Sequence, residues 1–274
     1  MAEYKSPHYV VECQNQVATI WTRPPEQMTP GDDGTHIPAQ LALANLLDAM
    51  RADESIRVIV LHRGGPHHLG NTTEQYNSPR WKEHHNEPTN LWRIFSGIIR
   101  LHEVMASIEK PIICQIDGDV IGGGCYLALS ADLIVAREDA RFIDHHLGMG
   151  QAAPYGPPWG LVPGDGGVAL APLFFTPPIA KEFLMLAKEF TAKELAQRGI
   201  INYAVPADEV DSVVGDLVSR LLKRPAYPLA WAKRVANRHV VDQLNRTLDA
   251  GAGYEMIGLT QLERQGWVDK TTLD

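Results

Sequence analysis

Three consecutive glycines, Gly122, Gly123 and Gly124, stand between a strand-like run, Pro111 to Ile116, and a helix-like one, Leu127 to Ala131. A strand, a glycine turn and a helix start leave free backbone N–H groups aimed at whatever lies above the helix N-terminus. Such groups hold a phosphate, or the oxyanion of a carbonyl under attack. Glycine is needed because a Cβ there blocks close approach of a ligand or forces a strained φ.

The elements that must position this turn follow from hydrophobic spacing. Tyr9 to Cys13 and Val17 to Trp21 read as two strands of a hairpin across Gln14, Asn15 and Gln16. Ala39 to Arg51 carries Leu41, Leu43, Ala44, Leu47 and Met50 at helical spacing. Val58 to Leu61 is a continuous apolar run, the pattern of a strand covered on both faces. A polar loop from Arg63 to Asn90 leads to a helix over Leu91 to Ser107, then to the strand before the glycines and to another at Leu133 to Ala136. The alternation of strands and helices predicts an α/β fold with a mostly parallel sheet. From Thr191, where Thr191-Ala192-Lys193-Glu194 has the pattern of a capping box, the chain turns helical to about Gln265, with Tyr203 to Val205 as a short strand or extended bridge. The expected organisation is a core over residues 1–190 and a helical region over 191–274. Pro154 to Pro163, with Tyr155, Trp159 and Leu161 among its glycines and prolines, reads as an ordered loop over a pocket.

Composition narrows the function. A formal net charge of −8 argues against a nucleic-acid partner or an anionic membrane surface. No apolar run approaches the roughly 20 residues that a membrane span needs, and the first twenty residues lack the apolar core of a signal peptide. Three cysteines, Cys13, Cys114 and Cys125, lie in or beside apolar segments and are expected to be reduced, which points to a cytoplasmic protein.

Four passages together resemble the crotonase, or enoyl-CoA hydratase/isomerase, superfamily, over about Tyr9 to Leu262. They are Arg57 to Leu61 with Gly64-Gly65; Ile116 to Cys125 followed by Ala131 to Ala136; Val162-Pro163-Gly164-Asp165-Gly166-Gly167; and Phe190 to Asn202. The resemblance implies a spiral of ββα turns with a C-terminal helical trimerisation region that covers a neighbouring subunit, in a homotrimer or a dimer of trimers. It also implies an oxyanion hole of two backbone N–H groups, from Gly70 and Gly123. The loop around Gly70, Pro66 to Thr73, departs from the family's usual pattern, whereas the triple glycine is intact.

The departures carry more. Where enoyl-CoA hydratases place two glutamates, this chain has Tyr126 and His146. Ordinary hydration of an enoyl thioester is therefore not expected. His145, His146 and Asp165 stand instead. A histidine with an acid partner is a general base, because the carboxylate fixes the ring's tautomer and stabilises the imidazolium, and a free pKa of about 6.5 suits proton transfer near neutrality. A carboxylate in that turn needs a partner, since burying it alone costs several kcal/mol. The set resembles the β-diketone hydrolase branch (6-oxocamphor hydrolase-like). That resemblance implies retro-Claisen cleavage of a small dicarbonyl, with water activated by the His/Asp pair and with no metal and no cofactor. Glu255 sits where the branch has a functional glutamate. Either His145 or His146 can be the base.

Blander readings stand beside these. Asp165 can simply cap the following helix. Tyr126 can be packing, or can bind substrate or water. His36, Tyr155 and Trp159 are candidate substrate contacts. Cys125 reads as a small buried residue. His62, His67-His68 and His84-His85 suggest a metal, but adjacent histidines diverge and no acidic or thiol framework accompanies them. Two alternatives remain: a CoA-thioester hydratase, isomerase or ring-opening hydrolase with a different acid/base set, CoA being part of its substrate, and a non-catalytic scaffold whose histidines face solvent.

Overall fold

Two antiparallel strands, β1 (Tyr9–Gln14) and β2 (Val17–Thr22), open the fold. Asn15 and Gln16 join them at positive φ, 50° and 68°. This is the left-handed pair that a two-residue hairpin turn requires, and Asn tolerates it best. The computed structural model describes residues 4–23, 38–63, 88–144, 146–147 and 160–264.

Helix α1 (Ala39–Ala52) buries Leu43, Leu46, Leu47 and Met50 and packs against α2 (Pro88–Ser107). Between them runs β3 (Val58–Arg63). Strand β4 (Ile112–Ile116) is buried at every position, as its unbroken apolar run predicts. After it come β5 (Val120–Ile121) and α3 (Gly123–Leu129), then β6 (Leu133–Arg137), β7 (Arg141–Ile143) and α4 (Gly167–Phe174). The later chain adds α5 (Pro177–Leu186), β8 (Phe190–Thr191), α6 (Ala192–Gln197), β9 (Tyr203–Val205), α7 (Val210–Leu222), α8 (Ala226–Ala236) and α9 (Arg238–Arg264).

The strands form two sheets. The larger has six strands in the order β1-β2-β3-β4-β6-β9, parallel from β2 onward. The smaller has three, β5-β7-β8. Each of β4 and β6 is followed by a short strand of the smaller sheet and then a helix, so the chain repeats a ββα unit. These short strands, two or three residues long, lie below the length at which hydrophobic alternation is readable, and the sequence pattern did not announce them. Strand β9 pairs with β6, so the large sheet takes its last strand from beyond residue 190.

The core divides by sheet face. Ile59, Leu61 and Ile112 face α1 and α2, whereas Val58, Val60, Ile113 and Val135 meet α7 through Val210, Val214 and Leu217. A further cluster packs α3, α4 and α5 around Tyr126, Phe142, Phe175, Phe183 and Phe190. Burying each such side chain is worth about 1.5–3 kcal/mol. The expected capping box is present: Glu194 N–H donates to Thr191 Oγ1 at 3.2 Å, and Thr191 N–H donates to Glu194 Oε2 at 2.8 Å. Helix α9 packs on α2 and α4 of its own chain. No helix among the described residues is long and apolar enough to cross a membrane.

Candidate active site

The small sheet delivers the chemistry. Strand β7 ends at Ile143, and its carbonyl accepts the N–H of Gly122 at 2.8 Å, which ties the glycine turn to the segment that follows β7. Asp144 and His146 lie in that segment, 0% and 2% exposed. Helix α3 begins at Gly123 itself rather than at Leu127. The N–H of Gly123, at the first helical position, therefore has no acceptor within the helix. A Cβ on Gly123 would come within 2.8 Å of Asp165 Oδ2. Here the glycine makes room for a neighbouring carboxylate as well as for a ligand.

His146 is held from both sides. Its backbone N–H and its ring Nδ1 both meet Asp144 Oδ1, at 2.8 and 3.1 Å. The other Asp144 oxygen accepts the Tyr126 hydroxyl. Ring Nε2 faces Asp165 Oδ2 at 3.3 Å and Glu255 Oε1 at 3.7 Å. The tautomer follows from these partners: Nδ1–H donates to Asp144, and Nε2 shares its proton with carboxylates. Burial alone pushes the His146 pKa down, but the charges of Asp165 and Asp144 and their hydrogen bonds outweigh it and raise it well above 6.5. The two carboxylates thus favour the protonated ring. Burial raises Glu255 to about 8, against the pull of His146.

The turn before α4 presents Asp165, and α9 presents Glu255. The two segments meet almost backbone to backbone. A Cβ on Gly164 would lie 2.3 Å from Gly251 O, so only glycine allows α9 this close. At that distance Glu255 Oε2 accepts the Gly164 N–H at 3.0 Å. The capping alternative for Asp165 is not seen. The N-cap of α4 is Gly166 and no side chain caps the helix. His102 on α2 anchors the same turn: its Nε2–H donates to Asp165 O at 2.9 Å, and Nδ1 meets Ser130 Oγ at 2.7 Å. Burial lowers the His102 pKa, which keeps it neutral.

Of the residues singled out in the sequence, His146, Asp165, Glu255, Gly123 and Tyr126 converge here. Tyr126 is fully buried with its hydroxyl on Asp144, so it stands behind the histidine rather than on a substrate. His145, Gly70, His36, Tyr155 and Trp159 lie outside the described residues. Asp144 and His102 were missed. Asp144 did carry a signal, an acid two residues before a candidate histidine. His102 had none beyond its place on an apolar helix face. Cys125 is raised well above an ordinary thiol, chiefly by burial, and so is not a thiolate.

Ligand atoms of His146, Asp165 and Glu255 lie within 4.8 Å of one another, a set that could hold a metal ion and that the sequence reading did not assign. The charges of Asp144 and Asp165 raise the His146 pKa and so favour a proton on its ring, which offers these acids positive charge without a metal. His62, one of the loop histidines weighed for metal, pairs with Asp117 Oδ2 at 3.0 Å, and the two histidine pairs lie outside the described residues.

The family model for enoyl-CoA hydratase/isomerase matches residues 39–256. Among curated proteins, the chain is 28% identical over 170 residues to a crotonyl-CoA hydratase of Syntrophomonas wolfei, covering 62% of this chain and 60% of that protein. It is 30% identical over 141 residues to a carnitinyl-CoA dehydratase of Salmonella paratyphi A, covering 52% and 49%. The match thus spans about half to three-fifths of these relatives. Among solved structures, an enoyl-CoA hydratase/isomerase from Mycobacterium paratuberculosis superposes with a TM-score of 0.74 at 20% identity, over 93% of this chain and 94% of that one. A β-diketone hydrolase from the cyanobacterium Anabaena, bound to (S)-3-oxocyclohexyl acetic acid, superposes with a TM-score of 0.77 at 17% identity, over 96% and 99%. At these identities the likeness is one of fold: α/β, with a helical C-terminal region.

Proposed function

The chain belongs to the enoyl-CoA hydratase/isomerase family, which has the crotonase fold, and on that premise we propose a hydrolase that cleaves the carbon–carbon bond of a β-diketone-like substrate by a retro-Claisen reaction. One observation carries the reading. At the two positions where a hydratase is expected to have glutamates stand Tyr126 and His146, both hydrogen-bonded to Asp144, and the far ring nitrogen of His146 faces Asp165 and Glu255. Burying a histidine among three acids carries a desolvation cost that a well-packed apolar core would not, which favours chemistry over a bare scaffold.

In this reading a water oxygen adds to one carbonyl carbon and its proton passes to Asp165. We take Asp165 rather than His146 as the acceptor, because the charges of Asp165 and Asp144 favour the doubly protonated ring. The imidazolium 3.3 Å behind Asp165 balances its charge. The tetrahedral oxyanion rests against the Gly123 N–H, where a fixed donor in a dry site is worth far more than in water. The intermediate then collapses. The bond to the central carbon breaks, one carbonyl becomes a carboxylic acid, and the electron pair leaves as the enolate of the other. Glu255, protonated below about pH 8, returns a proton to the enolate carbon. His146 Nε2 faces both acids, so a proton passes from Asp165 to Glu255 through the ring and restores the site. The β-dicarbonyl supplies its own electron sink.

Purified protein mixed with a panel of cyclic 1,3-diketones should release acid, followed by pH-stat titration. His146→Ala and Asp165→Asn should each lower kcat by about 10²–10⁴-fold, the usual range for losing acid–base catalysis. No turnover across the panel, or full activity in both variants, would sink the reading. The names of the curated relatives favour a second reading, a CoA-thioester hydratase. A calorimetric titration with CoA and acetyl-CoA separates the two, since micromolar binding supports the thioester reading.

A further inference from the structure

Beside the glycine turn lies a small cavity, about 20 Å³, walled by Gln40, His102, Gly123 and Asp165 and closed by apolar side chains of α2 and α3. A space of this size holds one water and not a carbonyl substrate, since about 10–15 Å³ is the least that admits a water. A water also needs two to four polar partners. Both ring nitrogens of His102 are engaged, by Ser130 and by the Asp165 carbonyl. The groups left to hold a water are the Asp165 carboxylate, the Gln40 side-chain amide and the wall at Gly123.

Gln40 sits in the first turn of α1. It is brought over the cavity by the close approach of α1 to α2. A Cβ on Gly97 would come 3.0 Å from Leu41 Cβ and 3.1 Å from Leu41 N, so the helices meet at this glycine, beside Ile98, Leu101 and His102 of the cavity wall. An amide both donates and accepts. It can therefore hold a water with one hydrogen aimed at Asp165 and a lone pair left free, the orientation that a nucleophile needs.

We propose that this cavity seats the attacking water and that Gln40 is the residue that orients it against Asp165. The inference rests on the hydrolase reading and adds a water-positioning residue to it. In the proposed step the water keeps one hydrogen, gives the other to Asp165 as its oxygen bonds to the carbonyl carbon, and leaves Gln40 unchanged.

The test is a crystal structure and steady-state kinetics of the wild-type protein and of Gln40→Leu and Gln40→Asn, with folding checked by thermal melting. Wild type should show an ordered water within hydrogen-bond distance of both the Gln40 amide and the Asp165 carboxylate, and Gln40→Leu should lose it. Gln40→Leu should lower kcat by about 10–100-fold with KM within twofold, the scale of a misplaced reactant. Gln40→Asn, which keeps the amide on a shorter stem, should fall between. An active wild type with unchanged kcat in Gln40→Leu overturns the inference alone. So does a rise confined to KM, which marks a substrate contact, or a cavity without the water. A wild type inactive on every diketone overturns the hydrolase reading and the inference with it.

Discussion

Asp144 Oδ1 takes both the backbone N–H and the ring Nδ1 of His146, two residues further along, at 2.8 and 3.1 Å. The contact is local in sequence, so the ring is oriented by its own segment and needs no distant partner to fix it. It leaves Nε2 as the only ring nitrogen able to move a proton.

Replacing Asp144 with Asn removes one of the two carboxylate charges that raise the His146 pKa and so disturbs the ring's protonation. Asp144→Asn should lower kcat by about 10²–10⁴-fold with KM little changed. Tyr126→Phe removes a hydroxyl from the other Asp144 oxygen and leaves it unmet in the core. It should cost about 1–3 kcal/mol of stability and reduce kcat less than Asp144→Asn. Kinetics paired with thermal melts separate the two effects.

The titration of the site sets a pH dependence with a definite sign. Glu255 is raised in the fold to about 8, so between its unfolded value of about 4.3 and 8 the folded chain holds a proton that the unfolded chain has lost. Stability contributed here is full below that window and is lost as pH rises through it. His146 adds the same sign at higher pH: its folded value lies well above 6.5, so its contribution is full below about 6.5 and fades as pH rises through the folded value. Glu255→Gln removes the first of these slopes. Its melting temperature relative to wild type should therefore rise steadily from pH 5 to pH 8, and a constant difference would contradict the assignment.

The meeting of α9 with the Asp165 turn gives a matched set of substitutions. Gly164→Ala places a Cβ 2.3 Å from Gly251 O, and Gly251→Ala places one 2.4 Å from Val168 Cγ2. Each should destabilise by about 1–3 kcal/mol through overpacking, and each should lower kcat by shifting Glu255. At Gly253, two residues on in the same helix, a Cβ meets nothing within 4 Å. Gly253→Ala should instead stabilise by about 0.5–1 kcal/mol with activity unchanged. Denaturant melts of the three variants, read beside their kinetics, check the prediction.

What the sequence revealed and what it hid have physical causes. Buried strands such as Ile112 to Ile116 and the Thr191–Glu194 cap announce themselves because their signals are local: an unbroken apolar run and a four-residue pattern. The start of α3 was placed four residues late, at Leu127, because glycine is a poor helix former in an interior, whereas here Gly123 and Gly124 occupy the first turn, where a missing side chain costs little. That Asp165 would pair with His145 or His146 was legible from the need of a buried carboxylate for a partner. That same reasoning stopped at one acid and passed over Asp144, although Nδ1 and Nε2 each need a partner. It also cast His146 as a neutral base, without the second carboxylate that raises the ring's pKa. Glu255 lay beyond any local rule, because only the docking of α9 sets its register.

Gly164 and Glu255 are 91 residues apart in the chain, and their bond joins the last long helix to a turn made much earlier. A chain emerging from the ribosome must therefore add 91 residues after Gly164 before this bond can form. Up to that moment the nascent protein has a sheet and a glycine cradle, but the turn that carries Asp165 still lacks the helix that brings Glu255 to it.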